Sequence, residues 1–255
     1  MIAINNLVKR YGTFTAVDDV TLDVPPGEIH GFLGPNGAGK TTTIRMIAGL
    51  LKPTSGTILV NNHDLATEPE QAKASLGFIP DRPFIYEKLT AGEFLRFHGG
   101  LYGMGDGSAG ARAREMLDIF ELGRWENELV ESFSHGMKQR LVMCSAFLHR
   151  PRAVLVDEPM VGLDPRGARL IKDVFRRMSE RGVAILMSTH TLEVAQEMCD
   201  RISIILKGQI IARGTVDELR AMAGAGGGDV PNEQLTGVFL RLTGGSGLQE
   251  IDEVL

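Results

Sequence analysis

The residues best suited to chemistry form one glycine-rich stretch near the start of the chain. Its pattern, GxxxxGK[ST], is typical of a loop whose backbone N–H groups surround phosphate oxygens. Lys40 offers a positive charge to the outer phosphates, and the Thr41 hydroxyl suits Mg²⁺ as a ligand. The pattern predicts a nucleotide-phosphate site formed by Gly34, Pro35, Asn36, Gly37, Ala38, Gly39, Lys40, Thr41 and Thr42.

Two adjacent carboxylates form a second candidate site. Asp157 and Glu158 directly follow the apolar run 153–156, which is typical of a buried strand. Asp157 is placed to hold Mg²⁺, and Glu158 to act as a general base or to position water. Two solvated acids at the end of a strand are the alternative. The phosphate-binding pattern upstream favours the catalytic interpretation.

The elements around these residues indicate an α/β fold. Apolar runs at 29–33, 153–156 and 183–187 predict short buried strands, and 41–51 has the apolar spacing of a helix. Strands and turns are expected over the first 33 residues. Strands alternating with helices predict an α/β core with a parallel sheet. With the phosphate-loop pattern added, we expect a phosphate-loop NTPase core with an N-terminal antiparallel β subdomain.

An inserted helical subdomain is expected over about 84–150. Thr90 and Glu93 have the spacing of a capping box at a helix start. We expect the glycines of 103–110 to form a surface loop, and 111–123 to form a second helix. We expect one nucleotide-binding domain over 1–223, ending after a hairpin turned by Lys207-Gly208, and a glycine-rich linker with a short tail over 224–255.

Composition narrows the class of protein. The 255 residues are 43% hydrophobic and 23% charged, which is ordinary for a globular domain and excludes a coiled-coil rod or a wholly disordered chain. No apolar run approaches the roughly 18 residues of a membrane-spanning helix, and no signal-peptide pattern opens the sequence. The net charge of −5 disfavours nucleic acid as a partner. Cys144 and Cys199 lack metal-ligand spacing and are expected to be buried.

Four further motifs complete a family pattern. Residues 134–140, Ser-His-Gly-Met-Lys-Gln-Arg, are similar to a signature usually written LSGGQ with basic residues after it. Leu163-Asp164 is similar to a D-loop, and 188–190, Ser-Thr-His, to a switch histidine after a strand. Tyr11 resembles an aromatic residue that stacks on adenine. Over roughly 1–220 the chain thus resembles the ATP-binding cassette (ABC) ATPases.

The resemblance implies how these residues act on ATP and Mg²⁺. Two cassettes would face head to tail, so that Ser134 and the N–H of Gly136 reach the γ-phosphate of ATP held by the partner. Asp164 would shape the seam, His190 would bond the γ-phosphate, and Tyr11 would stack on adenine unless it merely packs. The implied catalytic residues are Glu158, His190 and Lys40; the implied metal residues are Thr41, Asp157 and Asp81.

This sequence departs from the family pattern in two places. Asp81 stands where the family usually has a glutamine, so its contact with Mg²⁺, direct or through water, would differ in geometry. The signature has His135 in place of glycine and Met137 in place of glutamine, whereas its two phosphate-contacting positions are intact.

The implied function is that of an exporter-type ATPase subunit on the inner, cytoplasmic face of a membrane. Its partners would be a second cassette, identical or different, and integral membrane subunits. Phe84 and Tyr86 would receive a helix of the membrane subunit, or else pack inside the helical subdomain. A soluble ABC ATPase acting on nucleic acid or ribosomes, and a weakly hydrolytic nucleotide-gated module, are the alternatives.

Overall fold

The larger of two sheets forms the centre of the molecule. The computed structural model describes residues 1–82, 84–160 and 162–224. In the six-stranded sheet the order is β10-β9-β3-β8-β7-β6, with every neighbouring pair parallel except β10 and β9. The strands are β3 (Ile29–Leu33), β6 (Leu76–Ile79), β7 (Ala153–Asp157), β8 (Ala184–Thr189), β9 (Arg201–Leu206) and β10 (Gln209–Gly214). All residues of β3, β7 and β8 are buried, and the strands are mainly apolar, with His30 inside β3 and polar residues at the carboxyl ends of β7 and β8.

The second sheet is antiparallel and has the order β2-β1-β4-β5. Its strands are β1 (Ile2–Tyr11), β2 (Phe14–Val24), β4 (Ser55–Val60) and β5 (His63–Asp64). Along β2, Val20 and Leu22 are buried whereas Thr21 and Asp23 are exposed, so only one face of this sheet packs on the core. Together the two sheets confirm the predicted α/β fold with an antiparallel β part.

A group of helices lies between β6 and β7, as the sequence predicts. It contains α3 (Ala91–Leu101), α4 (Asp106–Ile119), α5 (His135–Phe147) and two short 3₁₀ turns, Gly123–Trp125 and Val130–Ser132. The capping box is confirmed, because the Thr90 hydroxyl accepts from the N–H of Glu93 while the Glu93 carboxylate accepts from that of Thr90. Phe94, Leu117 and Leu141 bring the three helices into one core.

The prediction of a surface loop over 103–110 is wrong for most of that range. Helix α4 begins at Asp106 and ends at Ile119, so two of the four glycines lie inside it. Its buried side includes Ala109, Gly110, Ala113 and Leu117. Packing of that side against the other helices overrides the low helix propensity of glycine.

Among the described residues, five more helices cover the sheets: α1 (Lys40–Ile47), α2 (Pro69–Ala74), α6 (Pro165–Glu180), α7 (Leu192–Met198) and α8 (Val216–Gly224). The hairpin turned by Lys207-Gly208 is confirmed, as is the burial of both cysteines. Within the described ranges, no helix is both long enough and apolar enough to cross a bilayer. The linker and tail predicted beyond Gly224 lie outside the described residues.

Candidate active site

Four neighbouring parallel strands place the predicted chemistry along one edge of the sheet. The order β3-β8-β7-β6 sets the carboxyl ends of these strands side by side. The register pairs Leu33 with Thr189, Asp157 with Ser188, and Ile79 with Val156. The glycine-rich loop, His190, the Asp157-Glu158 pair and Asp81 therefore follow adjacent strand ends, where ligands bind in open α/β sheets.

Glycine is required at three positions of the phosphate loop. Gly37 and Gly39 have φ of 80° and 110°, a left-handed backbone that other residues rarely adopt. At Gly34 space is the constraint, because a side chain there would overlap the carbonyl oxygen of Ile205. The loop thus curls tightly against β9 and leads into α1, whose first turn carries no acidic residue. The N–H groups of that turn stay available to an anion.

The turn between β9 and β10 holds the loop from behind, which the sequence did not predict. The N–H of Gly208 donates to the carbonyl of Ala38 at 2.9 Å, and the carbonyl of Gly208 accepts from the N–H of Asp18 at 2.9 Å. Gly208 packs so closely on Ala16 that a β-carbon would lie 3.0 Å from its carbonyl oxygen. These contacts join segments remote in sequence, so no local pattern predicts them.

The Lys40 side chain lies inside the loop. It is 6% exposed, and its ammonium donates to the carbonyl oxygens of Gly34 at 2.7 Å and Pro35 at 3.2 Å. Burial lowers the pKa of Lys40, while the carboxylates of Glu158 and Asp157 oppose that shift. The ammonium is therefore held within reach of both the loop and the carboxylates, ready to exchange its carbonyl partners for phosphate oxygens.

The remaining loop positions are open to a ligand to different degrees. Asn36 and Thr41 are exposed, whereas Thr42 is half-buried in the first turn of α1. The next residue, Thr43, donates its hydroxyl to the carbonyl of Gly39 at 3.0 Å and fixes the start of the helix. The hydroxyls of Thr41 and Thr42 therefore remain for a metal ion or a phosphate, and that of Thr41 is the more exposed.

The two carboxylates of β7 have different surroundings. Asp157 is buried, and its Oδ1 accepts from the Ser188 hydroxyl. Glu158 has a left-handed φ of 52° and turns its side chain toward β8. Its Oε1 lies 2.7 Å from His190 Nδ1, and its Oε2 accepts from the Thr189 hydroxyl at 3.3 Å. Because an ionised carboxylate only accepts, Nδ1 carries the proton and Nε2 is left for a second partner.

The donor set suits Mg²⁺ when phosphate oxygens complete it. Within the described part of the chain, no cluster of three or more His, Cys, Asp or Glu side chains could hold a metal alone. Mg²⁺, however, commonly uses one or two carboxylates together with substrate phosphates and water. Asp157, whose Oδ2 is not the atom bonded by Ser188, and the exposed Thr41 provide such oxygens. Asp81 is exposed two residues after β6.

The signature residues form a second group with the D-loop. Ser134 caps α5, since its hydroxyl accepts from the N–H of Met137 at 3.3 Å, and the helix begins at His135. Asp164 likewise caps α6 by accepting from the N–H of Gly167 at 2.8 Å. Among the described hydrogen bonds, none joins these two caps to the phosphate loop of the same chain.

The unusual His135 packs on the D-loop. Gly162 has a φ of 76°, and any side chain there would overlap the ring of His135. A β-carbon on Gly136 would lie 3.4 Å from the carbonyl oxygen of Gly162. The His135 side chain is thus directed toward the D-loop and does not cover the N–H of Gly136, the group expected to contact phosphate.

Three aromatic side chains predicted to have a role are exposed. Tyr11 ends β1 and is 50% exposed, with the Lys9 ammonium 5.0 Å from its ring centroid. Phe84 is 90% exposed, so the alternative that it packs inside the helices is wrong. Tyr86 is also exposed and meets Phe97 edge to face at 5.5 Å.

Comparison with known proteins identifies the family. The family model described as ABC transporter matches residues 17–161. The chain belongs to the ABC transporter family, as one of its ATP-binding cassettes. It is 38% identical over 224 residues to a linearmycin resistance ATP-binding protein of Bacillus subtilis, covering 88% of this chain and 72% of that one. It is 39% identical over 221 residues to a daunorubicin/doxorubicin resistance ATP-binding protein of Streptomyces peucetius, covering 87% and 67%.

Solved ABC cassettes share the fold. An ATP-binding subunit of an ABC transporter superposes with a TM-score of 0.86 at 34% identity, over 95% of this chain and 99% of that one. A cassette solved as a dimer with ADP and phosphate gives 0.77 at 25% identity, over 84% and 98%. As an ABC cassette, the chain binds ATP and belongs to a family of ATPases, and the soluble nucleic-acid alternative is not favoured.

Proposed function

We propose that this ABC cassette hydrolyses ATP with Mg²⁺, works paired with a second cassette, and drives export through separate membrane subunits. The observation that carries the proposal is the contact of the Glu158 carboxylate with the His190 ring, next to a loop that holds Lys40. This arrangement combines a base, a partner that orients it, and a phosphate site at one sheet edge.

Phosphate binding uses the loop 34–42 and α1. Backbone N–H groups around Gly37 and Gly39 bind phosphate oxygens, and the N-terminus of α1 adds its positive end. Lys40 moves its hydrogen bonds from the carbonyls of Gly34 and Pro35 to the outer phosphates. Tyr11, exposed at the end of β1, stacks on the adenine ring.

Thr41 and Asp157 would hold Mg²⁺, which supplies charge neutralisation to the phosphates when bound. The Ser188 hydroxyl fixes the Asp157 carboxylate from the neighbouring strand. Asp81 follows the next strand of the sheet and adds a negative charge at the same edge. We assign it the place of the usual glutamine, where it would contact the ion directly or through water.

Hydrolysis requires a base beside the γ-phosphate. Glu158 accepts a proton from water as the water oxygen bonds to the γ-phosphorus, while the bond from that phosphorus to the β–γ bridging oxygen breaks, giving ADP and phosphate. His190 holds the carboxylate through Nδ1 and offers Nε2 to the γ-phosphate. Lys40 balances the charge on the leaving group.

A second cassette completes the site. Ser134 and Gly136 lie at the start of α5, where the positive end of the helix and the free N–H groups suit a phosphate. Since they form a group apart from the chain's own loop, we infer that they serve ATP held by a partner chain, a copy or a relative of this one. Asp164 lies in the seam. Related cassettes solved as dimers support this arrangement.

The membrane subunits are the second kind of partner. The exposed Phe84 and Tyr86 provide an apolar surface to receive them. Two relatives carry drug-resistance names, which supports export, and the cassette would then lie on the inner face of the membrane. We include no nucleic acid among the partners.

The test is a pull-down of the tagged full chain carrying Glu158→Gln, from detergent-solubilised membranes with ATP, followed by mass spectrometry. Recovery of a polytopic membrane protein, lost when Lys40→Met is added, supports the transporter assignment. Recovery of ribosomes or DNA-bound proteins instead would contradict it, while ATP binding by the purified chain reports separately on the site.

A further inference from the structure

A large groove lies away from the ATP site. It has a volume of about 780 Å³ and runs between α4, the end of α5 and α6. Arg152 and Val183 line it just before β7 and β8, at the amino ends of strands whose carboxyl ends form the ATP site. The groove therefore lies at the opposite edge of the sheet and takes no part in the proposed chemistry.

The groove combines an apolar floor with a basic rim. The floor is formed by Met116, Phe120, Phe147, Val174 and Met178. The rim has five arginines, at 112, 150, 152, 177 and 181, against two acids, Glu115 and Asp173, so its formal charge is +3. In a chain with a net charge of −5, this is a strong local excess of positive charge.

Most of these arginines are available to a ligand. Arg112 pairs with Glu115 at 2.6 Å and donates to the carbonyl of Leu148 at 3.4 Å. The other four are exposed, and over residues 1–82, 84–160 and 162–224 none forms an ion pair. The expected ligand is amphipathic and acidic, since it must match both the floor and the rim.

This chain contains such a segment. Residues 248–255 are Leu-Gln-Glu-Ile-Asp-Glu-Val-Leu, with acids at 250, 252 and 253 and no basic residue. Their side-chain charge of −3 is equal in magnitude and opposite in sign to the +3 of the groove. Leu248, Ile251 and Leu255 have the spacing of one apolar helix side.

The segment is tethered with enough length to reach the groove. Between Gly224, where α8 ends, and Leu248 lie 23 residues, which span roughly 75 Å when extended. A domain of this size is only about 45 to 50 Å across. A tether of this kind gives the segment an effective concentration of about a millimolar at the groove. The bound state is therefore populated even if the intrinsic affinity is weak.

We propose that residues 248–255 bind in the groove of their own chain, with the acids on the arginine rim and the apolar residues on the floor. The occupant would contact α4 from the helical group and α6 from the sheet core, and would tie these two parts together. The proposal is independent of the ATP site.

Distances between two spin labels on the full chain test it. The labels are placed on Glu180→Cys, beside the rim, and Gln249→Cys in the segment. Burial raises the pKa of both native thiols, which keeps them slow to react with the label. We expect a narrow short-distance peak that is lost on Arg177→Glu with Arg181→Glu and regained when Glu250→Arg and Glu253→Arg are added. Arg169→Glu with Arg220→Glu, exposed elsewhere, should leave it unchanged.

Three results would overturn the proposal. One is the absence of the short-distance peak in the doubly labelled chain that carries no charge reversal. This includes the case where the chain instead sediments with phosphatidylserine vesicles and the same arginines are required, because the groove would then bind a lipid surface. Another is a peak indifferent to charge reversal. The third is a peak that vanishes on dilution with unlabelled chain, because the segment would then bind a second copy.

Discussion

The carboxylate of Glu158 lies 2.7 Å from Nδ1 of His190, across the ends of two adjacent strands. The contact depends on backbone geometry, since a left-handed φ of 52° turns Glu158 from the end of β7 toward β8. The hydroxyl of Thr189 holds the second carboxylate oxygen at 3.3 Å. The base thus has two partners at the end of β8, Thr189 as its last residue and His190 directly after it, and they fix the direction of the carboxylate.

Removing the His190 ring should slow hydrolysis more than it weakens ATP binding. In His190→Ala the Glu158 carboxylate keeps only its Thr189 contact, and a hydrogen bond to a charged group is worth about 1.5–3 kcal/mol. We expect kcat to fall roughly 10- to 100-fold with KM nearly unchanged, as measured by phosphate release. His63→Ala, on the antiparallel sheet, is the matched control. Equal loss in both variants would contradict a specific role for His190.

A single methyl group at Gly34 should damage the phosphate loop. The β-carbon of Gly34→Ala would overlap the carbonyl oxygen of Ile205, and such overpacking costs about 1–3 kcal/mol. We expect a lower unfolding midpoint and lost ATP binding. Gly100→Ala in α3 meets no atom within 4 Å and should stabilise the chain by about 0.5–1 kcal/mol. If Gly34→Ala binds ATP normally, the close packing of the loop on β9 is not required.

Two inactive variants should restore activity when mixed. Lys40→Met removes the charge that binds phosphate, whereas Ser134→Glu places a negative charge at the helix start proposed to face the partner's ATP. In a mixed pair, the loop of one chain meets the intact signature of the other, so one site of two is complete. We expect each variant alone to be inactive and the mixture to release phosphate. No recovery in the mixture would contradict a site shared between chains.

Acid should destabilise the fold through His149. Burial lowers its pKa from 6.5 to about 4, against the opposing effect of its hydrogen bond to the carbonyl of Leu76. Below pH 6.5 His149 binds a proton in the unfolded chain, whereas in the folded chain it stays neutral down to about pH 4. The free energy of unfolding therefore decreases as the pH falls from 6.5 to 4.

Replacing His149 should therefore flatten the pH dependence. We expect the unfolding free energy of His149→Phe, which retains a ring for stacking on Tyr102, to fall less between pH 6.5 and 4 than that of the wild type. Urea titrations at each pH measure the difference, with His63→Ala as the control. Parallel curves for wild type and His149→Phe would show that His149 does not bind a proton on unfolding.

Local patterns account for the parts that sequence predicted well. The buried strands β3, β7 and β8 are mainly apolar in sequence, and the loop glycines follow from the backbone that phosphate binding requires. Helix α2 escaped prediction because Ala72 is its one buried residue, so no apolar period marks it. The glycines at the start of α4 led to the prediction of a loop, because the packing that stabilises this helix is not visible in the local sequence.

Contacts between remote segments could not be read from the sequence. The hydrogen bonds of Gly208 with Ala38 and Asp18 hold the phosphate loop, but neither partner lies near Gly208 in the chain. The bond from Ser188 to Asp157 depends likewise on the register of β7 with β8. Motifs therefore predicted which residues act, whereas the sheet order determines how they are held.

The most direct measurement is phosphate release by the purified chain and its Glu158→Gln variant at saturating ATP and Mg²⁺. Loss of a general base lowers rates by about 100-fold or more. We expect such a loss in Glu158→Gln with ATP binding retained, and no change in Glu180→Gln, an exposed glutamate at the end of α6. Turnover by Glu158→Gln at the wild-type rate would contradict the assignment of Glu158 as the base.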